Sequence, residues 1–171
     1  MSTAVALDPN DSKSRAVHPF VGTFASCTKK VFSTMLGWDI VLADQTQSRG
    51  FLSKHDVSGI IGFSGGLRGT LVVSCAAEMT YSAAESFLGA RPTEITEDIV
   101  DLVGELTNMI GGSSKDRLGI SGIELGLPAV ISGIGHRVSF QPSAHVEILH
   151  FMCDAGPFTV EIGFRLPNAA K

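Results

Sequence analysis

The sequence has no cluster of lysine and arginine longer than two residues. It therefore lacks the basic footprint that nucleic-acid binding requires. No run approaches the roughly 18 apolar residues of a membrane-spanning helix. Cysteine is scarce: Cys27, Cys75 and Cys153 are odd in number and widely separated, which reads as free thiols in a reducing compartment rather than a disulfide framework. The start of the chain has no basic segment followed by an apolar run, so no secretory signal is read there, and the expected location is the cytoplasm. Asparagine is also rare. Of three, Asn10 and Asn168 fall in stretches expected to be tails, which leaves Asn108 as the only one in the body of the chain.

What is present is an apolar, weakly acidic chain of 171 residues, 44% hydrophobic and 18% charged, with a net charge of −4. That is enough for one substantial core, and its apolar excess suggests cover by a partner or a second copy. Residues 1–17 read as a loose N-terminal tail, 18–167 as a single domain and 168–171 as a C-terminal tail. Helical spacing of Phe20, Phe24, Cys27, Val31 and Met35 predicts a helix over 19–36, stopped by Gly37. A short strand is expected over 38–42. Val57 to Ser64 and Leu67 to Ser74 flank Gly65-Gly66, a hairpin signature. A helix is expected over 76–88, and a third from Thr96, with Glu97 and Asp98 at its positive end, to Arg117 or Leu118. Short strands are expected over 129–134 and 137–141, then a hairpin of 145–152 with 158–166. In the last strand Phe158, Val160, Ile162 and Phe164 alternate with Thr159, Glu161, Gly163 and Arg165, which predicts one wet face. Each half offers a helix followed by antiparallel strands. The expected class is α+β, a two-layer domain with helices packed on an antiparallel sheet.

The third helix carries the most informative residues. With Asp101 as the origin of a helical wheel, Glu105 lies about 40° to one side and Asn108 about 20° to the other. Ile99, Leu102, Val103, Leu106, Met109 and Ile110 fall on the opposite, core-facing side. Glu105 and Asn108, three residues apart, face the same way. An amide both donates and accepts hydrogen bonds, so it can hold a water in a chosen direction. Gly104, Gly111 and Gly112 flank this stripe, and helical glycine costs roughly 1 kcal/mol against alanine. Their presence suggests that something approaches the helix closely. The residue types alone fit a solvated helix face equally well.

Other constellations carry less. Gly62, Gly65, Gly66 and Gly69 are followed by a strand rather than a helix, which favours hairpin glycines over a phosphate loop. His136, His145, His150 and Cys153 have no recognised metal-ligand spacing and read as ordinary strand residues. No Gly-x-Ser-x-Gly elbow stands at a strand-to-helix turn, which argues against a serine hydrolase.

Asp101, Glu105 and Asn108 with the downstream Pro128, together with the runs Gly62-Phe63-Ser64-Gly65-Gly66-Leu67-Arg68-Gly69-Thr70, Asn108-Met109-Ile110-Gly111-Gly112 and Val31-Phe32-Ser33-Thr34-Met35-Leu36-Gly37, make the chain resemble a CheX-type member of the CheC/CheX/FliY family of chemotaxis phosphatases. The likeness spans about residues 18 to 166. The first helix lacks a second Glu-x-x-Asn, as in the one-site CheX type, and the interval from Asn108 to Pro128 is somewhat shorter than the family pattern. The resemblance implies a CheC/CheX-like fold and hydrolysis of the aspartyl phosphate of a phosphorylated CheY-like response regulator in two-component signalling. Asn108 would aim the attacking water, Glu105 would pair with the regulator's lysine, and Asp101, Gly104, Gly111, Gly112 and Pro128 would support the site. Magnesium would come with the regulator, the protein having no cofactor of its own. A homodimer joined through its sheets is implied, with the edge left by the final strand as the expected seam. The competing reading is a non-catalytic dimeric adaptor that docks a regulator or a flagellar or signalling assembly.

Overall fold

The computed structural model describes residues 18–48, 51–53, 55–141 and 144–165; both expected tails lie outside them. Three helices, α1 (Phe20–Leu36), α2 (Ala77–Leu88) and α3 (Glu97–Leu118), combine with nine strands: β1 (Val41–Ser48), β2 (Phe51–Ser53), β3 (Val57–Gly65), β4 (Arg68–Cys75), β5 (Ile123–Leu125), β6 (Ala129–Ser132), β7 (Arg137–Ser139), β8 (His145–Cys153) and β9 (Gly156–Arg165). The class is α+β, as expected. Every strand pairing in the main sheet is antiparallel. The order is β1-β8-β9-β4-β3-β5, with β6 on another stretch of β3.

The two expected hairpins, β3–β4 and β8–β9, form the middle of the sheet and join through β4 and β9. Period-two alternation then sends Ile61, Phe63, Leu71, Val73, Leu149, Phe151, Phe158, Val160 and Ile162 into one core with the helices. Phe32 of α1 stacks on Phe158 with centroids 4.5 Å apart, and Phe158 stacks on Phe151 at 5.1 Å. Gly37 closes α1 in the left-handed conformation, φ 69°, where a Cβ would be strained.

Several expectations are corrected. The strand expected over 38–42 begins only at Val41 and runs to Ser48. Its sequence lacks apolar alternation because β1 is an edge strand, and its register shifts between Leu42 and Asp44. Strands β2 and β5 were not foreseen. Three residues each are too short to show a period. The final strand is neither half wet nor an edge. It lies between β8 and β4, and Glu161 on its supposed wet face is 2% exposed. Segment 133–140 lies over that face: His136 Nε2 pairs with Ser58 Oγ at 2.8 Å, and the ring of Phe140 rests where a side chain at residue 163 would stand. The expected seam for a second copy is therefore wrong in place, and β1 is the outer strand.

Candidate functional site

Helix α3 is built to hold its outward face still. The Thr96 hydroxyl caps it by accepting from the Ile99 amide at 3.4 Å, Glu97 and Asp98 occupy its first turn, Lys115 and Arg117 its last, and Gly119 ends it in the left-handed region. Charges of this sense at each end oppose the helix dipole. Ile99, Leu102, Val103, Leu106 and Ile110 are buried, as the helical wheel requires, and Met109 packs partly buried against the same core.

The same helix leaves Asp101 and Glu105 exposed and Asn108 half-buried. Among the described residues, none of these three side chains makes an internal hydrogen bond or ion pair. The Asn108 amide thus keeps donors and an acceptor for a ligand or water. Residues three and four apart on a helix stand about 5–6 Å from each other at Cβ, so carboxylate and amide can reach one small group together.

The glycines divide. Gly104 and Gly111 are buried, against the expectation that they open the helix to a partner. A Cβ at residue 104 would meet Val130 Cγ2 at 3.4 Å, and one at residue 111 would meet Ile61 Cγ2 at 3.3 Å and Leu125 Cδ2 at 3.6 Å. Both let α3 sit close on the sheet. Gly112 is the one with open space beyond its Cα. From the sheet side, Gly59 performs the matching task, because a Cβ there would overlap the Thr107 side chain. Thr107, buried, returns its hydroxyl to Val103 O at 2.7 Å.

Pro128 is half-buried. Leu125 lies against Gly111 and Val130 against Gly104, so the connection from β5 to β6, which contains Pro128, runs alongside α3 between these two glycines. Asp101, Glu105 and Asn108 share the outward face of α3. Leu127, next to Pro128, is 92% exposed.

Sequence reading missed a cleft of ≈ 210 Å³ beside Glu105, between the C-terminal ends of α1 and α2 and the outward face of α3. Met35, Phe87, Leu88 and Leu102 supply its apolar lining, and Asp98, Asp101 and Glu105 its acids. Phe87 and Leu88 are 57% and 51% exposed. The sequence carries no signal for it: Phe87 follows the buried Ala83 at helical spacing and so reads as a core residue.

The remaining reactive side chains sit elsewhere. Burial pushes the Cys75 thiol up to about 12, and burial also raises Cys153, so both stay protonated at neutral pH and are weak nucleophiles. His136 bonds Ser58 and Gly133, His145 bonds Glu147 and His150 bonds Thr46. Among the described residues, no group of three His, Cys, Asp or Glu is placed to hold a metal ion, and no helix is long and apolar enough to cross a membrane.

The family model for chemotaxis phosphatase CheX matches residues 57–152, a span that contains Asp101, Glu105, Asn108 and Pro128. Among solved structures, a CheC-like superfamily protein from Shewanella sp. PV-4 is 30% identical with a TM-score of 0.79, covering 85% of this chain and 97% of that one. Chemotaxis protein CheX from Vibrio vulnificus is 30% identical with a TM-score of 0.78, covering 85% and 99%. A chain of the CheX–CheY–BeF3–Mg2+ complex from Borrelia burgdorferi, 19% identical, shares the fold with a TM-score of 0.72, covering 85% and 97%. A comparison with curated proteins matches none.

Proposed function

The chain belongs to the CheX family of chemotaxis phosphatases, and from that premise we propose that it hydrolyses the aspartyl phosphate of a CheY-like response regulator. One observation carries the reading. The half-buried Asn108 amide, without an internal partner among the described residues, stands one turn from the exposed Glu105 carboxylate on a helix fixed to the sheet. The complex of the Borrelia CheX protein with CheY, BeF3 and Mg2+ supports the choice of partner.

An acyl phosphate is already reactive, so the catalyst mainly has to place a nucleophile. Asn108 holds a water in line with the phosphorus–oxygen bond of the regulator's phosphoaspartate. Water oxygen bonds to phosphorus as that bond breaks, and its electron pair stays on the regulator's carboxylate. Inorganic phosphate leaves, and a proton passes to solvent. Glu105 pairs with a lysine of the regulator's phosphorylation site and fixes the approach. Magnesium is part of the phosphorylated regulator. Asp101 extends the acidic rim, Gly112 leaves room for the regulator, and Gly104, Gly111 and Pro128 hold α3 in place.

The cleft beside Glu105 extends the docking surface. Its apolar lining and acidic rim suit a regulator segment with an apolar residue next to a lysine or arginine. Phe87→Ala is expected to weaken regulator binding by about tenfold, the scale of one well-packed apolar contact, while turnover of bound regulator and the melting temperature stay the same. Titration calorimetry with each variant checks this, and unchanged affinity removes the cleft from the interface.

A homodimer belongs to the same reading. Among the described residues the outer strand β1 is paired on one side only, and Val41 and Met152, register partners, are both exposed and apolar beside it. A second copy paired along β1 leaves both α3 faces free. Sedimentation at micromolar concentration should give twice the 18.0 kDa of one chain; the mass of one chain rejects the dimer.

The proposal is tested by phosphate release from purified phosphorylated regulators of the same source. Faster release from at least one supports hydrolysis. Binding without faster release from any supports an adaptor instead.

A further inference from the structure

On the sheet face opposite α3, β3, β4 and β9 end in a groove of ≈ 760 Å³. Strand alternation places Ser64, Arg68, Thr70 and Arg165 on this face. Phe140 and Gln141, in the stretch after β7, complete its wall. The arginines are the unusual feature. Arg68 and Arg165 are direct register partners on adjacent antiparallel strands, an arrangement in which like charges destabilise the pair. Two such guanidinium groups usually share a carboxylate, yet among the described residues none bonds to either; Glu124, the register partner of Ser64, stands on the far side of that serine and pairs with neither arginine. Arg165 Nη1 donates to Gln141 Oε1 at 3.3 Å, and Arg68 has no partner among the described residues. The chain carries a net charge of −4, so this local positive pair runs against the overall balance.

The surroundings fit an anion with several oxygens. Two guanidinium forks offer parallel N–H donors, the geometry that phosphate takes. The Ser64 and Thr70 hydroxyls make no hydrogen bond among the described residues and can donate beside them. Gly62 leaves its strand face bare, and the Phe140 ring packed over Gly163 provides an apolar wall. Pockets of this size accept small ligands.

We propose that this groove binds a small phosphate-bearing molecule, its anionic group between Arg68 and Arg165 and its organic part against Phe140. The site is separate from the α3 face and does not depend on the phosphatase reading.

The test uses the full chain, with inorganic pyrophosphate and ADP titrated separately at constant ionic strength without magnesium. Saturable binding of both is expected. Arg68→Ala and Arg165→Ala should each weaken pyrophosphate binding by about tenfold or more, as loss of a charge-assisted contact does. Phe140→Ala should weaken ADP and leave pyrophosphate unchanged, and Asn108→Ala should alter neither. Without ligand, Arg68→Ala should melt no lower than the parent, because it relieves the facing charge. No saturable binding, binding that survives both arginine substitutions, or binding lost with Asn108→Ala overturns the proposal. So does a clear fall in the melting temperature of Arg68→Ala, which would make the pair structural.

Discussion

Asn108→Ala is expected to slow phosphate release from the phosphorylated regulator by about 100-fold or more, the penalty that follows loss of positioning at a reacting centre. That factor corresponds to roughly 2.7 kcal/mol of barrier. The fold should be untouched. The side chain is half-buried on the outward face of α3 and makes no internal hydrogen bond among the described residues, so its removal leaves neither a cavity in the core nor an orphaned partner. Stability should move by no more than about 0.5 kcal/mol, as for surface changes generally. Regulator affinity should be largely kept, since the amide acts on water. Glu105→Ala should behave differently. Its carboxylate is given a docking role, so affinity should fall at least as much as turnover. Comparing kcat and KM for the two variants separates the roles, and an unchanged kcat for Asn108→Ala removes the proposed mechanism.

Gly59→Ala is expected to lower the melting temperature by roughly 3–10 °C, from an overpacking cost of about 1–3 kcal/mol in a domain of this size. The new methyl would overlap Thr107 Oγ1 and stand 3.0 Å from Thr107 Cβ and 3.1 Å from the Val103 carbonyl oxygen. Backbone is one of the neighbours, and the Thr107 hydroxyl is held by that same carbonyl at 2.7 Å. Helix α3 must therefore lift from β3, and Asn108, the next residue along, moves with it. Phosphatase activity should fall along with stability. Thr107→Ala removes the overlapping oxygen, so the double variant should recover part of the loss. Strict additivity of the two changes would show that the contact is not the cause.

Where a period was long enough, the sequence disclosed the fold. The twenty-two residues of α3 carried both the apolar face and the outward Asp101-Glu105-Asn108 stripe, and the glycine pair at 65–66 marked its hairpin. The signal failed where tertiary context decided. Strand β1 is polar because it is an edge, and β5 is too short to show alternation. Glu161 reads as a wet residue, yet segment 133–140 covers its face. The outward placement of the candidate stripe was legible for the same reason: Asn108 shares a helix face with Asp101 and Glu105, opposite the buried aliphatics. Its supports were misread, because a glycine that admits a sheet and one that admits a partner look alike in sequence. Gly104 and Gly111 prove to be of the first kind. The cleft beside Glu105 was hidden because Phe87 and Leu88 look like core residues, and only the end of the helical cover leaves them exposed.

The central claim is hydrolysis, and the most direct measurement is the lifetime of the regulator's acyl phosphate under single-turnover conditions. A CheY-like regulator from the same source is labelled with acetyl [32P]phosphate, freed of donor and mixed with an excess of this protein in magnesium. The expected result is label leaving the regulator as inorganic phosphate far faster than it does alone, with no label appearing on this protein. A decay matching the regulator's own, for every regulator that binds, contradicts the claim.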